Sequence, residues 1–229
     1  MVRMLRTGIF AICAMALAGC SVLPESRGSQ QGSTAPPSRP ASGAGFAQFA
    51  GQCMAELGQS GARFSPVADR YTGEGCSIVG SVQMSALRSD HAELAVSNIG
   101  PVQCAVGNAF ASWARFGVDR AARQILGSGV RQIDTFGSYA CRNVAGSSRR
   151  SAHATAGAID IAGFVLEDGR RISVENGWNG GTRAERQFLR VVQRSACKRF
   201  GTVLGPDYNA AHRDHFHVEG VIEGSSYCR

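Results

Sequence analysis

AIDIAGFVLEDGRRISVE, residues 158–175, is the stretch on which the fold turns. Two apolar runs flank Asp168–Gly169, a dipeptide suited to a tight turn because glycine tolerates positive φ. The segment reads as a β-hairpin. Towards the C-terminus, RAERQFLRVVQRSACKRF, residues 183–200, places Phe188, Val192 and Ala196 on one helical face, with Leu189 beside them. GTVLG follows, and DHFHVEG, residues 214–220, alternates as a strand does.

Towards the N-terminus, VRQIDTFGSYACR, residues 130–142, reads as a strand ending in a loop pinned by Cys141. A polar, basic loop, RNVAGSSRRSAH, comes after it. PVQCAVGNAFASWARFG carries an apolar stripe from Val102 to Phe116, and proline suits a first helical turn, so a helix is expected to open at Pro101. AARQILG extends or follows it. IVGSVQMSAL from Ile78 and HAELAV at 91–96 are expected strands, and a helix is expected from Phe46. This order predicts an α+β fold, a central antiparallel sheet with flanking helices.

The chain opens like an exported protein. Arg3 and Arg6 precede an apolar run from Ile9 to Leu17, too short for a permanent span, and LAGC closes it at residues 17–20. That ending resembles a lipoprotein signal, which implies residues 1–19 as signal peptide and a lipid on Cys20 as membrane anchor. Ser21 behind it implies sorting to the outer membrane, facing the periplasm. Pro, Gly and Ser fill 14 of the 25 positions from 21 to 45, so residues 20–45 are expected to be a disordered tether and 46–229 the folded domain. Six cysteines remain in that domain, Cys53, Cys76, Cys104, Cys141, Cys197 and Cys228, an even count that suggests three disulfides of open connectivity. The formal charge of +7 falls to +5 without Arg3 and Arg6. The arginines are dispersed, without interleaved aromatics or a recognition motif, so no nucleic-acid partner is expected.

Four of the five histidines fall in two short segments, SAHATAGAID (151–160) and HRDHFHVE (212–219). On a strand, His215 and His217 share a face with Glu219, and His212 lies just before them. His153 and Asp160 can supply the partners that a catalytic zinc requires, three protein ligands and one open position. Two imidazoles and one carboxylate leave the cation acidic enough to activate water. His91 stands apart and is assigned no chemistry.

The two histidine segments resemble the metal signature of the LAS metallopeptidases, which include D-alanyl-D-alanine carboxypeptidases and the penicillin-insensitive murein endopeptidase. More broadly, GEGCSI (73–78), SYACR (138–142), AIDIAGFVLEDGRRISV (158–174), GTVLGPDYNAAHRDHFHVE (201–219) and the final YCR are similar to stretches of the bacterial extensin-like C-terminal domain family. The resemblance implies a LAS/Hedgehog-type metallopeptidase-like fold. It implies His153, Asp160 and His217 as zinc ligands, His215 as general base, and His212 as a further active-site histidine sharing the developing oxyanion charge. Ser151 matches the serine that opens the first motif. The implied substrate is a peptide bond of peptidoglycan, whose carboxylates Arg149, Arg150 or Arg213 could meet. Two departures stand out: Ala156 occupies the family's glycine position, with Gly157 one residue later, and Ala152 replaces a common glutamate. A non-catalytic wall-binding lipoprotein with a structural metal is the main competing reading. Serine-hydrolase chemistry through Ser151 lacks a nucleophile elbow.

Overall fold

The computed structural model of the protein describes residues 42–229. The expected signal peptide, Cys20 and the tether up to residue 41 lie outside the described residues. Helix α1 spans Ser42–Gln59 and so begins four residues before Phe46. Strands β1 (Arg63–Pro66), β2 (Arg70–Gly73), β3 (Cys76–Ile78), β4 (Ser81–Arg88), β5 (Glu93–Ser97) and β6 (Pro101–Gln103) follow, then helices α2 (Cys104–Trp113) and α3 (Arg120–Leu126), joined by a π-helical turn. The second half holds β7 (Val130–Gly137), β8 (Ala158–Leu166), β9 (Arg171–Ser173), α4 (Val174–Gly180), α5 (Arg183–Ala196), β10 (Thr202–Leu204), β11 (Phe216–Glu219) and β12 (Tyr227–Cys228).

Ten strands make one sheet in the order β1-β4-β5-β7-β8-β11-β10-β12, with β6 on β4 and β9 on β8. The architecture is a mixed α/β fold around this sheet. It corrects the expectation of a purely antiparallel sheet, because β5–β7 and β10–β12 pair in parallel. The β5–β7 pair is joined by a crossover through β6, α2 and α3, and the β10–β12 connection runs through β11, as parallel pairing demands a long connection.

The hairpin turns where expected, with Gly169 at φ 92°. Its second strand is short, because the Ser173 side chain accepts from Asn176 N–H and starts helix α4 in place of further strand. Gly163 allows the two strands to close: a Cβ there would lie 2.7 Å from the Ile172 carbonyl. Two further expectations are corrected. Pro101 belongs to strand β6, paired with Gln83 of β4, and the helix starts only at Cys104. The strand expected from Ile78 breaks at Gly80, whose φ of 55° separates β3 from β4.

Trp113 is fully buried and joins the layers. Its ring meets Phe110, Phe164 of β8 and Phe200, while its indole N–H donates to the Val192 carbonyl of α5. Helix α5 begins with a full capping box between Thr182 and Glu185 and buries Phe188, Leu189, Val192 and Ala196, the face read from its spacing. Three disulfides add staples: Cys53–Cys104 between α1 and α2, Cys76–Cys141 between β3 and the loop after β7, and Cys197–Cys228, which ties the penultimate residue to the end of α5.

Candidate metal centre

Strand β8 lies between β7 and β11, and pairing with β11 sets Asp160 directly opposite His217. Opposite residues in an antiparallel pair share a face, so the carboxylate and the imidazole start side by side. His153 arrives from the short helical turn Ala152–Thr155 that precedes β8. The Ser151 side chain caps that turn by accepting from the His153 N–H. The turn ends on Ala156 at φ 56°, ψ 24°, the left-handed region. There an alanine carries a steric cost of about 1 kcal/mol that glycine would avoid. The turn nevertheless keeps its shape, because Gln103 donates from its backbone to Ala156 and from its side chain to Thr155, and Gly157 N–H donates to Ala152.

The three side chains converge. His153 Nε2 lies 3.1 Å from His217 Nδ1 and 3.2 Å from Asp160 Oδ2, and His217 Nδ1 lies 2.9 Å from Asp160 Oδ1. Four donors placed tetrahedrally around zinc at its usual bond lengths sit about 3.3 Å apart. The cluster therefore already has nearly the spacing of three corners of such a tetrahedron.

The outer nitrogens fix the tautomers. His153 Nδ1–H donates to the Ser138 carbonyl at 2.9 Å, and Ser138 is itself buried and bonded through its hydroxyl to the carbonyls of Ile99 and Pro101. His217 Nε2–H donates to Glu219 Oε2 at 3.2 Å. Both rings consequently point lone pairs inward, at a carboxylate that also offers lone pairs. Three lone pairs at one point need a cation between them. A proton on His217 Nδ1 meets the need: burial opposes charging this ring, but Asp160 and Glu219 outweigh it and push its pKa up to about 9. Burial likewise works against the Asp160 anion, yet His153 and His217 hold it well below the usual carboxylate range. A divalent metal meets the same need with more charge, and these second bonds to carbonyl and carboxylate are what ligating histidines normally have. The donor set fits a metal.

A cavity of about 370 Å³ opens beside this point, walled by His212, His215, His217, Glu219 and Tyr208 among others. His215 Nδ1–H donates to Asp214 Oδ1 at 2.8 Å, which leaves the Nε2 lone pair facing the centre, 3.5 Å from Asp160 Oδ1. His212 Nδ1–H donates to Asn209 Oδ1 at 2.8 Å. That Asn209 oxygen also accepts from Ala211 N–H, which fixes the amide's orientation. Burial and the neighbouring imidazoles His215 and His217 push the His212 pKa down to about 4. Neutral His212, donating through Nδ1 to Asn209, presents an acceptor at Nε2. Phe136 and Tyr208, both exposed, stand edge-on to His215 and His212 on their outer sides.

The five expected site residues are therefore brought to one place, with Ser151 on the same wall. Ser138, Asp214 and Asn209, which hold three of the imidazoles, escaped the sequence reading, although Asp214 and Asn209 stand one and three residues before the histidines they hold. Another concavity, of about 680 Å³ beside α1 and α2, lies among other residues and holds none of these groups.

The family model for the extensin-like protein C-terminus matches residues 51–229. No curated protein and no solved structure matches the chain.

Proposed function

The chain belongs to the extensin-like protein C-terminus family, and from that premise we propose that it is a zinc-dependent hydrolase of peptide bonds in peptidoglycan with a LAS-type fold. The observation that carries this reading is the inward convergence of His153, Asp160 and His217 on one point beside an open cavity lined by two further imidazoles. His153 Nε2, His217 Nδ1 and Asp160 would hold the ion. Bound zinc supplies Lewis acidity, lowering the pKa of water and polarising the amide carbonyl.

The chain's own groups do the rest. His215, held by Asp214, accepts the water's proton at Nε2 and returns it to the leaving amine. Asp214, itself held below its ordinary pKa by the His215 hydrogen bond, steadies the imidazolium in between. His212 accepts a hydrogen bond at Nε2 from water or a substrate N–H. Signal and tether support a periplasmic lipoprotein anchored to the outer membrane through Cys20, which would bring the domain to its polymer.

The test is to strip the full chain, reload it with zinc and incubate it with cross-linked and uncross-linked muropeptides, weighing the products. No zinc-dependent mass change across the panel refutes the hydrolase. A second reading, a wall-binding protein with a structural metal, would need His215 Nε2, 3.5 Å from Asp160 Oδ1 but outside the three-donor group, to move in as a fourth ligand. X-ray absorption would then count four protein donors and no water.

A further inference from the structure

The loop that leads from Cys141 to His153 forms a small ladder of its own. Asn143 and Arg150 are bridged antiparallel. Val144 N–H donates to the Arg149 carbonyl at 2.9 Å, and Ser151 N–H to the Arg142 carbonyl at 3.1 Å. In such a ladder opposite residues share a face and successive ones alternate. Arg142, Val144, Arg149 and Ser151 therefore occupy one face, and Asn143 and Arg150 the other. The side chains follow this rule. The first four line the cavity beside the metal centre. Arg150 turns away, donating to Asn143 Oδ1 at 2.9 Å and pairing with Glu74 at 3.2 Å. Arg213 is exposed and reaches only the Ala210 carbonyl, off the cavity wall.

Two guanidinium groups thus face the cavity outside any close ion pair, Arg149 acting on Glu219 only at longer range. Among the described residues, the arginine ion pairs involve other arginines. Glu219, the carboxylate on this wall, is taken by His217. The open end of the ladder is also held firmly: the Cys76–Cys141 disulfide anchors its first strand and Arg150, bonded to Glu74, its second. A planar guanidinium matches a carboxylate through two parallel hydrogen bonds, and a preset backbone reduces what ordering costs.

We propose that Arg142 and Arg149 form a carboxylate-binding subsite beside the metal centre, so that the substrate peptide carries a free carboxylate next to the bond to be cut. The inference rests on the peptidase reading above and narrows its substrates to uncapped peptide stems.

The experiment measures binding separately from turnover. Zinc-loaded full chain is titrated calorimetrically with a peptidoglycan stem peptide ending in a free carboxylate, and with the same peptide ending in an amide. Amidation should weaken binding to the wild type roughly 30-fold, the scale of charge-assisted hydrogen bonds. The double variant Arg142→Gln/Arg149→Gln should bind both forms at the weaker level, and with any cleavable peptide should raise KM more than it lowers kcat. Arg131→Gln, on β7 about 20 Å of strand away from Gly137, should bind as the wild type does. Equal binding of the two forms by the wild type, a preference that survives in the double variant, or no binding of either form overturns the proposal. A preference without any cleavage counts against the peptidase reading alone.

Discussion

Metal loading should raise the stability of the domain by an amount that the geometry of the centre lets one work out. The three ligand atoms stand 2.9–3.2 Å apart, against about 3.3 Å for donors around zinc, so little rearrangement is needed to admit the ion. At zinc 1,000-fold above its dissociation constant the folded state gains about 4 kcal/mol, or a rise in Tm of roughly 8–16 °C for a domain of this size. Asp160→Asn removes the anionic ligand. If affinity falls 100-fold, about 2.7 kcal/mol of that gain disappears and some 3–6 °C of the shift remains. Zinc must also displace the proton that Asp160 and Glu219 keep on His217, whose pKa is about 9 without metal. Affinity should therefore rise about tenfold per pH unit from 6.5 towards 9. The sign for the metal-free protein is the opposite. A pKa raised on folding stabilises below its ordinary value of about 6.5 and ceases to as pH rises through 9. Differential scanning calorimetry of stripped and reloaded protein at pH 6.5, 7.5 and 8.5 reads all three effects. An unchanged Tm, an undiminished shift in Asp160→Asn, or an affinity flat in pH would refute the convergence of lone pairs on one cation.

His215→Ala should keep most of the zinc-induced rise in Tm while lowering any muropeptide turnover by about 10²–10⁴-fold, the usual worth of a general base; loss of zinc instead would make His215 a ligand. Gly163→Ala should cost about 1–3 kcal/mol in urea unfolding, because its Cβ meets the Ile172 carbonyl in the hairpin; a neutral result would mean that β8 and β9 can separate. Asp90, held at a pKa of about 2 by its hydrogen bonds to Arg120 and Arg115, contributes stability above its ordinary pKa and loses it as pH falls through 2. Asp90→Asn should thus lower stability at neutral pH and flatten the acid limb of the stability profile, as followed by circular dichroism between pH 1.5 and 6.

The hairpin, α5 and the histidine strand were legible because each has a local cause: a turn dipeptide, a capped apolar face, an alternation. What failed was non-local. Pro101 satisfies the local rule for a helix start, but pairing with Gln83 of β4 took it into a strand. Nothing in the runs around Ala95 and Gln132 reveals that β5 and β7 lie parallel, since both read as half-apolar strands in either direction. The candidate ligands were visible as residue types in two clusters, and Glu219 as the strand neighbour of His217, yet the tautomer of His153 depends on Ser138, which only folding brings to its outer nitrogen. The departure at Ala156 was legible as a residue type, and its backbone does adopt the positive φ for which glycine is suited.

Asp160 and His217 face each other across a single rung of the β8–β11 ladder. Sliding β11 by one residue would bring Phe216 or Val218 to that rung and turn the imidazole to the opposite surface. An ion captured here would consequently discriminate against misaligned chains, rewarding only the correct threading of the last strand. Metal would then act as proofreader of the fold as well as its reagent.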